Sequence, residues 1–196
     1  MRRLIVSSLV LTGCGWGALA HALTWDIDPA HSTIDFSVRH MMVSNVRGQF
    51  RKFTGSVDVD PANPAAATVK ATIEAASVDT GNEKRDEHLR GADFFEVAKN
   101  PQITFVSKKI EAAGDKKWKL TGSLTMHGVT KDVVLDVEGP IGEVKDPYGN
   151  TRTGARATTT INRKDFGISF AKTLDGGGLM VGEDIAVSLE IEAMRK

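Results

Sequence analysis

The sequence is poor in the residues that several common functions need. It holds a single cysteine, Cys14, so the chain beyond residue 22 can form no internal disulfide and offers no thiol nucleophile. Basic side chains are scattered among acidic ones instead of forming a stripe, which argues against nucleic acid binding. Beyond the N-terminal leader, no apolar run approaches the ~18 to 20 residues of a membrane-spanning helix. We therefore expect neither a nucleic acid partner nor a stable membrane span.

Residues 1–22 predict a cleaved signal peptide. Arg2-Arg3 is followed by an apolar core over residues 4–11, and Ala20-His21-Ala22 fits a small-residue cleavage site. A second reading stays open, because Leu11-Thr12-Gly13-Cys14 resembles a lipobox in which Cys14 would carry a lipid anchor. Both readings predict export. Residues 23–196 remain as one domain, with two fewer basic than acidic side chains.

Apolar and polar residues alternate with a period of two in eight stretches, which is the pattern of strands with one face buried. The polar positions carry Thr, Ser, Asp, Lys, Arg and Glu. The apolar positions are Ile34-Phe36-Val38, Phe53-Gly55-Val57-Val59, Val69-Ala71-Ile73-Ala75, Ile103-Phe105, Trp118-Leu120-Gly122-Leu124-Met126, Val133-Leu135-Val137, Ala155-Ala157-Thr159-Ile161 and Ile185-Val187-Leu189-Ile191-Ala193. We predict an all-β fold in which eight antiparallel strands close into a barrel.

The inner face of this barrel predicts room for an apolar ligand. Eight strands are about the fewest that can leave such room, and a filled barrel would be expected to carry bulkier residues at several small positions. Those positions are Ala71, Ala75, Gly122, Ala155 and Ala157. We predict that the ligand contacts Ile34, Phe36, Val38, His40, Phe53, Val57, Val69, Ala71, Ile73, Phe105, Trp118, Leu120, Leu124, Leu135, Ala155, Ala157, Ile161, Val187 and Leu189.

His40 is the one polar member of the predicted ligand-binding set. It ends the face of Ile34, Phe36 and Val38, so it should lie near a mouth of the barrel. There it could bind a polar head group with help from Arg39 or Arg47, or it could be a rim histidine in water. A charged metabolite would find no charge inside the lumen to replace its hydration, so an apolar cargo is favoured.

One short helix interrupts the strands. Glu83 to Arg90 has a helical composition, Asn82 can cap its start, and Gly91 lies where a helix commonly stops. A second short turn with paired aromatic residues follows at 93–97. We predict that this insertion, near residues 82–97, forms a lid or plug at one end of the barrel.

Catalysis and metal binding have weak support in the sequence. His31-Ser32 lies in no G-x-S-x-G elbow, and Asp86 and His88 are two apart on a predicted helix, so they point in different directions. We therefore predict neither catalytic residues nor a cofactor. The histidines lack the paired spacing of metal ligands and stand singly at His31, His40, His88 and His127. We predict no metal site.

Seven motifs, in order along the chain from Trp25, together resemble the YceI-like family of lipocalin-like, polyisoprenoid-binding proteins. They are Trp25-x-Ile27-Asp28-x-x-His31-Ser32-x-Ile34-x-Phe36, Val43-x-x-Val46-x-Gly48-x-Phe50, Ser77-Val78-Asp79-Thr80 with Arg85-Asp86-x-His88-Leu89, Asp93-Phe94-Phe95, Pro101-x-Ile103-Thr104-Phe105-x-Ser107, Leu120-x-Gly122-x-Leu124-Thr125-x-His127-Gly128-Val129-Thr130 and Ile161-Asn162-Arg163-x-Asp165-Phe166-Gly167-Ile168. The resemblance covers residues 25 to about 193.

This resemblance implies an extended eight-stranded lipocalin-like barrel in the bacterial periplasm, and it leans toward a homodimer. It also implies a long apolar cargo, such as a polyisoprenoid or the tail of an isoprenoid quinone. Our working hypothesis is a non-catalytic periplasmic carrier or scavenger of such a lipid. The alternatives are a filled barrel that acts as a structural or protein-interaction module and, last, a small exported hydrolase.

Overall fold

A computed structural model of the protein describes residues 22–196. The predicted signal peptide and Cys14 therefore lie outside the described residues, except for Ala22. Among residues 22–196, no helix has both the length and the apolar character needed to cross a bilayer.

The described chain is almost entirely β-structure. Its twelve strands are β1 (Leu23–Ile27), β2 (Thr33–His40), β3 (Ser44–Phe50), β4 (Phe53–Asp60), β5 (Asn63–Glu74), β6 (Val78–Asp79), β7 (Gln102–Gly114), β8 (Lys117–Met126), β9 (Val129–Glu138), β10 (Val144–Lys145), β11 (Thr151–Asn162) and β12 (Val181–Arg195). Every pairing between them is antiparallel.

Eight of these strands form a closed ring. The order around it is β1, β4, β5, β7, β8, β9, β11 and β12, and β12 returns to β1. The other four strands extend this ring. β2 continues from β1 along β12, and β3 leads into β4. β6 pairs with β3 beyond the end of β5. β10 pairs with the start of β11, in the position that β9 occupies farther along that strand. The predicted eight-stranded antiparallel barrel is confirmed.

The strand directions define two ends of the barrel. The upper end carries residues 41–43, 80–101, 127–128 and 163–180, and the lower end carries residues 61–62, 115–116 and 139–150. The first and last described residues both lie at the lower end, where the Lys196 amide donates to the Thr24 carbonyl at 3.0 Å.

The helix α1 (Glu83–Arg90) has the predicted bounds. The Asn82 side chain caps its start by accepting a hydrogen bond from the Arg85 amide at 3.1 Å. Asp86 is buried and accepts from both the amide and the hydroxyl of Thr80, which ties the helix to the strand before it. Gly91 ends the helix with φ −74°, so the left-handed conformation that favours glycine is not used here.

The insertion closes the upper end, as predicted for a plug. Phe94 packs against Phe170 with ring centroids 5.0 Å apart, and the ring of His88 lies edge-on to both. Phe94 also belongs to the larger apolar core, which extends downward from these rings. The buried residues of that core are Ile34, Phe50, Phe53, Ala75, Val78, Phe94, Ile103, Met126, Phe166 and Ile168.

A buried arginine holds the upper loops together. Arg163 is only 3% exposed and donates hydrogen bonds to the carbonyls of Ile168 (2.7 Å), Gly182 (2.9 Å) and Val181 (3.3 Å). Burial lowers the pKa of this guanidinium from its usual value. The contacts connect the 3₁₀ turn Arg163–Phe166 to the start of β12.

Candidate functional site

The inner face of the barrel carries all nineteen residues predicted to bind ligand. The strand register places them beside one another in cross-strand pairs, such as Ile34 with Leu189 and Phe36 with Val187. Five are buried, namely Ile34, Phe53, Leu120, Leu135 and Ala157. The other fourteen are half-buried, namely Phe36, Val38, His40, Val57, Val69, Ala71, Ile73, Phe105, Trp118, Leu124, Ala155, Ile161, Val187 and Leu189. Their role in ligand binding stays a prediction.

The exposure of the inward side chains indicates how completely the lumen is filled. In a filled barrel, inner residues in the middle of strands are shut off from solvent by their neighbours. A small buried cluster of Leu120, Leu135 and Ala157 does fill part of the lower half, with half-buried neighbours around it such as Val69 and Val137. Half-buried inner side chains occur in both halves, for example Phe36, Ile73 and Leu124 in the upper half and Val57, Trp118 and Ala155 in the lower half. Neither half is completely shut off from solvent.

The small residues do not all leave open space, which corrects one part of the sequence argument. A Cβ added at Gly122 would lie 2.3 Å from Cζ of Phe105, so the Phe105 ring already fills the space above this glycine. Phe36 covers Gly48 in the same way. Ala75 is 1% exposed in the upper core. The two glycines are covered because an aromatic ring leans over each of them, which residue spacing alone does not reveal.

Two seams in the barrel wall have few backbone hydrogen bonds. β5 and β7 pair only from Lys70 and Val106 upward, and below that point the Val69 amide donates to the Ser107 hydroxyl at 2.8 Å. β9 and β11 pair over three residues each, and above them the Thr159 hydroxyl donates to the Val134 carbonyl. The β5–β7 seam is weakly paired in its lower half and the β9–β11 seam in its upper half, so the wall can open at both places with little loss of hydrogen bonding.

The lower mouth carries a polar group that the sequence prediction missed. Arg195 continues the inner face of β12, and its guanidinium lies 4.8 Å from the centre of the Trp25 ring and pairs with Glu143. Thr153 lies between Glu143 and Arg195 on the same face. The alternation of inner and outer residues along β12, continued beyond Ala193, could have indicated Arg195. Glu143 lies in a loop, where no such alternation applies.

Two polar atoms of this lower-mouth group lack a partner among the described residues. They are Nε of Arg195 and the hydroxyl oxygen of Thr153, and both are buried. The side chains as a whole sit at the rim, since Arg195 is 32% and Glu143 50% exposed. Next to them, the indole of Trp118 donates to the Gly139 carbonyl at 2.9 Å, which fixes the start of the loop that bears Glu143.

His40 lies at the opposite, upper end. It ends β2, is half-buried, and faces Ser44 and Val181 in the strand register. The neighbouring Arg39 donates to the Met42 carbonyl at 2.8 Å, so this cation is used within its own loop. The predicted head-group position at His40 therefore falls at the plugged end of the barrel.

Asp28, His31 and Glu192 form a cluster with the donor atoms of a metal site, but an arginine already occupies its centre. Their ligand atoms lie within 4.8 Å of one another, and one Arg152 nitrogen lies 2.6 Å from both Asp28 and Glu192. A hydrogen bond from His31, which has the larger effect, and one from Arg152 lower the pKa of Asp28 to about 2. Arg152 also binds Asp146 at 2.8 Å. The cluster joins the turn after β1 to β11 and β12.

One surface recess lies outside the lumen. It measures about 550 Å³ on the outer wall, and most of its lining side chains point away from the barrel interior, among them Asp35, Ser37, Arg47, Thr158 and Ser188. Because the recess lies on the outer wall, we do not take it as the place for a ligand held inside the barrel.

The sequence profile of the YceI-like domain matches residues 25–193. The chain belongs to the YceI-like family. It is 40% identical over 191 residues to a UPF0312 protein of Pectobacterium atrosepticum, covering 97% of this chain and 94% of that one. A UPF0312 protein of Pseudomonas aeruginosa is 38% identical over 179 residues, with 91% and 90% covered.

Solved structures agree with this YceI-like assignment. BcnA of Burkholderia cenocepacia superimposes with a TM-score of 0.72 at 26% identity, covering 85% of this chain and 98% of that one. The YceI protein of Campylobacter jejuni gives 0.67 at 38% identity over 81% and 90%. A polyisoprenoid binding domain from Saccharophagus degradans gives 0.65 over 89% and 99%, and at 16% identity it supports the fold alone.

Proposed function

We propose that this YceI-like protein is a non-catalytic carrier or scavenger of a long apolar lipid, a polyprenyl chain or an isoprenoid quinone, in the bacterial periplasm. The observation that carries the proposal is the inner face of the barrel, where most of the apolar side chains predicted to contact ligand stay half-buried along strands that run from the plugged upper end to the lower mouth. A barrel with one closed end and an apolar inner face suits a chain that enters lengthwise. The name of the Saccharophagus degradans domain points to the same ligand class.

The energetics favour such a ligand. A strand of about nine residues is roughly 30 Å long, and at a tilt of about 40° the lumen is on the order of 20 Å deep. A chain that buries ~500 Å² there would gain about 12 kcal/mol from the hydrophobic effect. Loss of translational and conformational freedom removes a large part of this gain, so we expect dissociation constants between about micromolar and nanomolar.

We expect no covalent chemistry from this protein. The Ser32 hydroxyl, the serine that stands beside His31 in the sequence, donates to the Glu192 carbonyl and accepts from the Glu192 amide. It is 7% exposed, and His31 instead donates to Asp28 at 2.8 Å. A nucleophilic serine would need its hydroxyl free and within reach of a base, so this pair supports a structural role.

Export to the periplasm rests on the leader, with its basic start, apolar core and cleavage pattern at Ala22. Lipid anchoring at Cys14 remains the alternative form of the same proposal. A homodimer also stays a proposal, which light scattering coupled to size exclusion would test.

The filled barrel is the rival function, and one observation favours it. The rings of Phe105 and Phe36 cover glycines on neighbouring strands and take up interior volume. A barrel filled in this way throughout would serve as a rigid module that presents its surface to other proteins.

Native mass spectrometry of protein purified from a bacterial envelope separates the two functions. We expect an added mass that disappears under denaturing conditions and is recovered by solvent extraction as a lipid. The stripped protein should then take up an added polyprenol or isoprenoid quinone. Protein at its bare mass that takes up neither probe at micromolar concentration would contradict the carrier proposal and leave the filled barrel.

A further inference from the structure

We propose that the group formed by Arg195, Thr153 and Glu143 at the lower mouth is a binding site for the anionic head group of the lumen lipid, with Glu143 as a counter-ion that the head group displaces. This inference rests on the proposed lipid-binding function. It adds the position of the lipid's polar end and the sign of its charge.

The proposed site lies at the end of the barrel opposite the plug. The upper end is closed by Phe94, Phe166 and Val78, whose exposed fractions are 8%, 1% and 0%. Half-buried inner side chains continue below this plug to Val57, Trp118 and Ala155 near the lower mouth. A lipid that enters tail first from below leaves its head at the lower mouth, where Arg195 is 32% exposed and lies over the Trp25 ring.

The proposed site also holds hydrogen-bond donors that lack an acceptor. Nε of Arg195 and the hydroxyl of Thr153 are buried donors with no partner among the described residues. A buried donor without an acceptor is costly, so both atoms favour an incoming oxygen. The guanidinium binds phosphate or carboxylate oxygens in a fork geometry, and a hydroxyl beside it adds a further donor.

The charges at the lower mouth suit an anionic head group. Arg195 and Lys145 are cations on the inner face of the lower mouth, and Glu143 is the acid on that face which pairs with Arg195. Glu143 is 50% exposed and belongs to the loop between β9 and β10, so it can turn outward without unfolding a strand of the ring. The carboxylate of Glu143 already binds Arg195. The expected head group would bind in the same way, through an anionic oxygen that accepts hydrogen bonds.

The same geometry gives Glu143 a second effect. While it neutralises Arg195, it competes with any anionic head group for the same donors. Removal of its charge should therefore strengthen binding of an anionic lipid and leave binding of a neutral lipid unchanged.

The test compares a polyprenyl monophosphate with the polyprenol of the same chain length, on stripped protein, by quenching of intrinsic tryptophan fluorescence and by native mass spectrometry. We expect the phosphate to bind about tenfold or more tightly than the alcohol, since a charge-assisted hydrogen bond is worth at least that ratio. R195M and T153V should reduce or remove the preference, and E143Q should increase it.

Arg156 provides the matched control. It lies on β11 but points outward, is 62% exposed and pairs with Glu190. R156M removes one positive charge from the same wall, so it should leave both affinities unchanged, and thermal melts should establish that all variants are folded.

The two proposals fail in different ways. If the phosphate and the alcohol bind equally well and R195M changes neither affinity, the head-group site is refuted while the lumen proposal stands. If neither lipid binds the wild-type protein, the lipid-binding function itself is refuted. R195K keeps the charge but loses the fork, so it should retain part of the preference for phosphate.

Discussion

Replacement of Arg163 by methionine sets two opposing effects against each other. The substitution removes hydrogen bonds to three carbonyl oxygens in the upper loops, two of them at 2.7 and 2.9 Å. Hydrogen bonds from a charged donor contribute about 1.5–3 kcal/mol each. It also removes the cost of burying a guanidinium that is 3% exposed, and that relief is of order a few kcal/mol.

We expect the loss to win, because methionine cannot donate to the carbonyls that Arg163 now satisfies. With the relief set against three lost bonds, the net destabilisation of R163M should be about 3 kcal/mol. For a domain of this size, that corresponds to a fall in melting temperature of about 6–12 °C. The upper plug should loosen as well, because the bonds fix the start of β12 to the turn at Arg163–Phe166.

Urea and thermal unfolding, followed by far-ultraviolet circular dichroism, measure this difference. R156M is again the control, since its exposed ion pair with Glu190 should be worth less than about 1 kcal/mol. If R163M is as stable as the wild type, or more stable, the cost of burying the charge is larger than its hydrogen bonds. The reasoning would then be wrong.

Three further predictions concern other parts of the chain. A157W should cost about 1–3 kcal/mol and lower the amount of extracted lipid, because Ala157 is packed on the inner face; unchanged melting and lipid content would contradict this. The pKa of Asp28 is lowered to about 2, so its ionised form stabilises the fold above its ordinary value of 3.8, and stability should fall as the pH drops from there toward about 2. Across this pH range, the midpoint of urea unfolding should fall less in D28N than in the wild type. An equal fall would count against the contact with Arg152. In the exported protein, C14S should be processed and located normally if cleavage follows Ala22, whereas release from membranes would establish lipid anchoring.

The strand register was the most predictable part of the fold. A period of two places Ile34 and Phe36 on one face whatever the tertiary structure, and the same rule holds along β12 as far as Arg195. The helix was equally accessible, because the Asn82 cap is a local interaction. The barrel follows from these local patterns once eight of them are counted.

The details of the interior were less predictable, since they depend on residues far apart in sequence. The Phe105 ring covers Gly122 only because β7 and β8 place them diagonally across the ladder. Likewise, the contact between Arg195 and Glu143 joins the last strand to a loop 52 residues earlier. The sequence prediction also missed four short strands, β1, β3, β6 and β10, so twelve strands are present where eight were expected.

The place of β12 in the ring has a consequence for how the chain must mature. This strand pairs with β11 over eleven residues and also with β1 and β2, so it closes the sheet by joining Ile27 to Ala193. Until the last residues of β12 are available, the preceding strands can form only an open sheet with two free edges. Closure across such a sequence distance is slow. If the protein is exported as proposed, the barrel can close only after the C-terminal strand has followed the rest of the chain across the membrane.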